Sequence, residues 1–296
     1  MFSASRRHPG FPHLLLTRPF LQYMSLSTII TLFQIAKKYG PVFSLYLGRT
    51  PVVLTHGFPS AKEVLVIKDT EFAGRPAFPI LDYLTRKKGS SSFEEEQLLI
   101  LLSNLFVAGT ETMAATLQWA LLYLMAFPEI QGKELHLGLP QLRHLCLYVR
   151  ARESKRLRSM GAFLLHLILW ERHQLIVVVC LSWLVQDTMV LVNIQSAHHD
   201  ESQWKFPNEF NPSNFLNEEG EFVKPEAFLA FSAGPRVCLG ENLARMELFF
   251  FFTSILRNFQ LLWPDKSQAP DFTPHFGVTQ SPSRFKVLLK YRQPSG

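Results

Sequence analysis

The pattern of apolar and polar positions changes period several times along the chain, and each change marks an element. Over 41–47 and 51–55, Val, Tyr, Phe and Leu run together or alternate on either side of Gly48-Arg49-Thr50, which predicts a β-hairpin. Pro59-Ser60 opens a short amphipathic helix reaching about Ile67, and Glu71-Phe72-Ala73-Gly74-Arg75-Pro76 reads as an ordered loop. The longest helical run follows. Ser91 and Ser92 each stand three residues before a glutamate, Glu94 and Glu95, which is capping-box spacing, and no proline interrupts 93–127. Such a helix reaches on the order of 50 Å, about the width of a domain, and its apolar character predicts central burial. Residues 135–186 show no clear period. Beyond them, 188–194 reads as a strand, 206–225 as a loop-rich stretch with Pro207, Pro212, Gly220 and Pro225, and 241–259 as a helix entered from the glycine-containing loop 231–240. The chain from Pro264 on is turn-rich, with a strand at 285–291. Prolines 9, 12 and 19 break up the start, so 1–36 is expected to be irregular.

Composition narrows the classes. A chain of 296 residues with 47% hydrophobic and 18% charged content can bury a sizeable core and is too apolar to be mainly disordered. Its three cysteines, Cys146, Cys180 and Cys238, are odd in number and widely spaced, which supports neither a disulfide framework nor a zinc ribbon and makes a reduced setting the default. The net charge of +6 is local: residues 135–186 hold seven Lys/Arg against two Asp/Glu. A nucleic-acid partner is therefore not expected, because the basic cluster at 143–158 lacks aromatic stacking partners at groove spacing and the rest of the chain is nearly neutral. No N-terminal run is long enough for an anchor. A second apolar stretch, 98–124, carries Glu111 as its single charge, and a carboxylate in mid-span reads better as part of a site than of a membrane helix.

The chemistry concentrates in Phe231-Ser232-Ala233-Gly234-Pro235-Arg236-Val237-Cys238-Leu239-Gly240. A cysteine just before a helix start sits where the macrodipole and unpaired N–H groups favour a thiolate, a good metal ligand. Gly234 and Gly240 let the backbone pass close to a flat bulky group, Arg236 offers a forked cation to a carboxylate, and Phe231 can shield the sulfur. A thiolate held this way is the axial ligand that lets haem iron split dioxygen. A buried, inert thiol is the bland alternative for one cysteine, but five fixed positions in ten residues ahead of a helix outweigh it.

That loop resembles the haem-ligand loop of the cytochrome P450 monooxygenases, F-x-x-G-x-R-x-C-x-G, at Phe231, Gly234, Arg236, Cys238 and Gly240. Ala108-Gly109-Thr110-Glu111-Thr112 is similar to the family's oxygen-binding stretch, and further likeness lies in Tyr39-Gly40-Pro41-Val42-Phe43, Phe72-Ala73-Gly74-Arg75-Pro76 and Phe210-Asn211-Pro212-Ser213-Asn214-Phe215-Leu216. Together they resemble the vertebrate microsomal branch. The resemblance implies haem b with Cys238 as its metal ligand; Phe231, Gly234, Arg236, Gly240, Ala108 and Gly109 around the cofactor, Arg236 toward a propionate; and Glu111 and Thr112 as catalytic residues in oxygen activation. It implies one oxygen atom inserted into a small apolar substrate (a xenobiotic, fatty acid or steroid-like molecule), with electrons from NADPH through a flavoprotein reductase. The location it implies is the endoplasmic reticulum membrane, by peripheral contact where an anchor is lacking.

Departures from the family pattern set a further expectation. Only 31 residues separate Pro76 from Ala108, where the family places a block of helices. The fold expected is thus mainly α with a small β portion, an incomplete cytochrome P450 fold from a truncated or partly scrambled copy. It comprises an irregular segment 1–36 and a domain 37–296: the hairpin part 37–76, the long central helix 91–128, the atypical 135–186, and the haem-ligand loop with its following helix in 187–296. Glu153-Ser154-Lys155-Arg156 fits the letters of the family's E-x-x-R pair without its helical flanks, and Asn214 stands where the family carries Arg or His. A catalytically inactive remnant, or an interaction protein, is the alternative.

Overall fold

Alternation over 42–56 becomes a two-stranded antiparallel ladder in the computed structural model, which describes residues 13–16, 26–47, 50–74, 95–129, 131, 176–181, 188–265, 267–276 and 279–292. Strand β1 is His13–Leu16, β2 Val42–Leu47 and β3 Thr50–His56. In the hairpin Val42 faces Thr55 and Leu47 faces Thr50, a register that puts Phe43 and Leu45 of β2 and Val52 and Leu54 of β3 in the core. Strand β4, Ile176–Leu181, lies inside the stretch where no period was legible, and β5, Thr188–Asn193, pairs in parallel with β3, Val52 opposite Met189. The five strands stand in the order β1-β2-β3-β5-β4.

The first segment is not irregular throughout. Helix α1, Leu26–Tyr39, packs Leu32, Ile35 and Ala36 on the hairpin, and ends where the Gly40 amide, at φ 92°, donates to the Ala36 carbonyl at 2.8 Å. The prolines that suggested irregularity all precede it. Helix α2, Phe58–Lys62, passes into a π-helical stretch, Glu63–Ile67, so the amphipathic helix expected after Pro59 forms with a widened second half.

Helix α3, Glu95–Ala126, forms as expected, but the expectation of central burial holds for one half only. Met113, Trp119, Leu122, Tyr123 and Leu124 are buried, whereas Leu98, Leu99, Leu101, Leu102, Leu105, Phe106 and Val107 are exposed, Val107 to 76%. The buried half has partners: Leu248, Phe249, Phe252 and Leu256 line the inner face of helix α5, Glu241–Asn258, in the same core, while Trp119 donates to the Gln280 carbonyl at 2.9 Å. One helix among the described residues, 97–126, is long and apolar enough to cross a membrane, yet its second half is part of the protein core. The capping serines Ser91 and Ser92 lie outside the described residues.

Short helix α4, Ile194–His198, follows β5, and β6 (Phe259–Leu262) pairs antiparallel with β9 (Leu288–Tyr291), as β7 (Pro274–Phe276) does with β8 (Gln280–Pro282). Buried Gln131 joins three parts. Its amide nitrogen donates to the Leu124 and Leu261 carbonyls and its oxygen accepts from the Leu261 amide and Arg292, so an otherwise costly buried amide is satisfied. Among the described residues helix outweighs strand.

Candidate functional site

The cysteine loop hangs between a buried stretch before it and the first turn of a helix after it. Before it, Ala227, Phe228 and Leu229 are buried, and the Leu229 amide donates to His198 Nε2 at 3.0 Å. After it, α5 begins as the Ala244 amide donates to the Gly240 carbonyl at 2.8 Å. Within the loop, Ser232 takes φ 62° with its hydroxyl buried and unpartnered, Gly234–Arg236 makes a 3-10 turn, and the Cys238 amide donates to the Phe231 carbonyl at 2.8 Å. Glu241, first residue of α5, pairs with Arg245 at 3.3 Å and Lys224 at 3.7 Å. The thiol of Cys238 stays exposed. Close to it in sequence Val237, Leu243 and Met246 are also exposed, and Leu239 is fully so at 101%.

Two contacts seat this loop on residues 63–74. Gly234, at φ 58°, lies so close to the π-helical stretch that a Cβ would come 1.9 Å from the Leu65 carbonyl oxygen, so a glycine is required there by space and by backbone conformation alike. Arg236 Nη2 donates to the carbonyls of Gly74 (2.5 Å), Ala73 (2.7 Å) and Phe72 (3.5 Å). The guanidinium expected to face a cofactor carboxylate is thus engaged, through this nitrogen, with the backbone of its own chain.

The helical group is held elsewhere. Thr112 Oγ1 donates to the Ala108 carbonyl at 2.6 Å, and Thr116 repeats the pattern one turn on, donating to the Thr112 carbonyl at 2.8 Å. Glu111 Oε1 accepts from the amide and hydroxyl of Thr279, at 3.3 and 3.1 Å. A Cβ on Gly109 would meet nothing within 4 Å. All of 108–112 is exposed. Phe231, Gly234, Arg236, Cys238 and Gly240 therefore form one constellation, and Ala108, Gly109, Glu111 and Thr112 a second on α3, anchored to different parts of the chain. Asn214, where a cation was expected, clamps Phe206 reciprocally: its Nδ2 donates to the Phe206 carbonyl and its Oδ1 accepts from the Phe206 amide, both at 2.9 Å. An amide, with one donor and one acceptor side, suits that task where a guanidinium, which only donates, does not. Glu153 and Arg156 lie outside the described residues.

Sequence reasoning missed the Leu65 and 72–74 carbonyls because backbone acceptors are common to all residue types. It missed Thr279 because nothing near it in sequence marks a partner for Glu111. Among the described residues no group of three or more His, Cys, Asp or Glu gathers. One exposed sulfur with no second protein ligand gathered beside it among the described residues suits a metal whose other ligands come from a flat organic macrocycle, and the residues present fit haem on that ground.

Comparison with known proteins agrees in kind. A family model described as cytochrome P450 matches residues 9–90, 79–136 and 183–289. Among similar proteins, "Cytochrome P450 2U1" of Homo sapiens is 32% identical over 222 residues, covering 70% of this chain and 40% of that protein. "Cytochrome P450 2D9" of Mus musculus is 37% identical over 221 residues (71% and 44%). "Steroid 17-alpha-hydroxylase/17,20 lyase" of Ictalurus punctatus is 36% identical over 239 residues (72% and 45%). The chain spans less than half the length of these relatives.

Proposed function

The chain belongs to the cytochrome P450 family, and from that premise we propose that it is a haem-thiolate monooxygenase with Cys238 as the axial ligand. The observation that carries the reading is the exposed Cys238 thiol on a loop braced at both ends, with exposed apolar residues close by in sequence. Haem b, when bound there, would supply the activation of dioxygen for inserting one oxygen atom into a small apolar substrate, with electrons from NADPH through a flavoprotein reductase. The protein's part is to hold the sulfur still, which the Cys238–Phe231 backbone bond and the seat on 63–74 do. On α3, the Thr112 hydroxyl holds its proton against the Ala108 carbonyl and Glu111 holds an acceptor oxygen at Thr279, which gives a donor and a carboxylate one residue apart for proton delivery. The exposed apolar half of α3 favours an apolar substrate over a charged one.

We read the fold as an incomplete version of the family's. Support comes from the 31 residues between Pro76 and Ala108, and from residues 137–182, which lie outside the family match. Membrane association at the endoplasmic reticulum follows from kinship with the relatives. The test is spectroscopic. Reduced, haem-loaded protein under carbon monoxide should show the strongly red-shifted Soret band of thiolate ligation, and Cys238→Ser should abolish it. Absence of the band in the unmodified protein would mean a remnant that does not hold haem through sulfur.

A further inference from the structure

We propose that Arg236 is a positioning residue that clamps the cysteine loop to the 63–74 segment, and that this segment is the seat that sets the place of Cys238. The inference rests on the haem-thiolate reading for its purpose, though its geometry stands alone. A guanidinium Nη2 has two hydrogens, and here they converge on the carbonyls of three consecutive residues, Phe72, Ala73 and Gly74. A carboxylate could take that nitrogen only by displacing them.

The segment before these carbonyls brings them to the loop. Its π-helical stretch closes with the Lys68 amide on the Glu63 carbonyl at 2.9 Å, and a turn follows in which the Glu71 and Phe72 amides return to Lys68. After the turn Ala73 and Gly74 lie in bridge-type rather than helical backbone, and the carbonyls of 72–74 present themselves together to one cation. Small residues at 73 and 74 leave that cluster open to the incoming guanidinium. Two positions earlier in the loop, Gly234 brings the backbone against the Leu65 carbonyl. The loop is therefore held at 234 and at 236 on one surface, and Cys238 follows two residues on with its amide tied back to Phe231. This accounts for the Phe72-Ala73-Gly74 run, which the chain's chemistry otherwise leaves without a task.

Hydrogen exchange in the haem-free full chain tests the clamp, read by mass spectrometry on peptides covering 231–240 and 241–258. Arg236→Met keeps the apolar stem and removes the donors, and should speed exchange of the 236–238 amides by about tenfold, the weight of a charge-assisted hydrogen bond, with 241–258 unchanged. Arg236→Lys keeps a cation of shorter overall reach without the planar fork and should give a smaller rise of about threefold. If the Met variant does not fold, the Lys variant decides on the same readout. Loop exchange at the unmodified rate in the variant that folds would overturn the proposal, and a haem affinity lowered alongside it would place Arg236 on the cofactor instead. Faster loop exchange in a protein that never shows the thiolate Soret band would uphold the clamp while the haem reading fails.

Discussion

His56 occupies the joint between β3 and α2, edge-on to the Phe33 ring at 4.5 Å, with Nδ1 buried and unpartnered. Burial pushes its pKa below the ordinary 6.5, against a smaller upward pull from Asp200. At Asp200 burial works to raise the pKa, but hydrogen bonds from Ser202 and from the Phe58 amide, with His56 adding to them, carry it below its ordinary 3.8. The signs give two windows. A histidine that resists protonation in the folded chain costs nothing above 6.5, and its stabilising effect is lost as pH falls from 6.5 toward the depressed value. The contribution of Asp200 is present above 3.8 and is lost as pH falls through its lower folded value. Thermal melts of the haem-free protein should thus show Tm falling between about pH 7 and pH 5, and His56→Gln should flatten that step and leave the acid one. An unchanged step in the variant would assign it to other groups.

Helix α3 is one element with two environments. Leu122 is buried completely among aromatic and aliphatic side chains, so Leu122→Ala should cost about 2–5 kcal/mol, the range for opening a cavity in a packed core. Phe106 is 71% exposed, and Phe106→Ser should change stability by no more than roughly 0.5 kcal/mol. Denaturant titration of both variants checks the contrast. A large loss at Phe106 would mean that the first half of the helix packs as tightly as the second. Because so much apolar surface on one half is uncovered, the Ser variant should also be the more soluble of the two.

For the whole molecule, stability and cofactor should be linked. A ligand that binds only the folded chain raises its stability by mass action, about 2.7 kcal/mol at a hundredfold excess over Kd. Haem should therefore raise Tm in the unmodified protein and far less in Cys238→Ser, measured with equal cofactor in both. The sheet adds a kinetic cost at this scale: β3 pairs with β5 across more than a hundred residues of chain, and such long-range pairing folds slowly.

Period and turn chemistry made the hairpin, α3, α5 and the cysteine loop legible, because each follows from residues adjacent in sequence. Helix α1 was hidden behind the prolines that precede it, though its spacing of Leu32, Ile35 and Ala36 is helical. The five positions from Phe231 to Gly240 named the family and the candidate ligand before any coordinates. What only the tertiary structure decided is partnership: which half of α3 meets α5, that Glu111 reaches Thr279, and that Arg236 finds carbonyls more than 160 residues away. Those outcomes depend on where distant backbone lies, and a main-chain carbonyl is chemically the same group at every position.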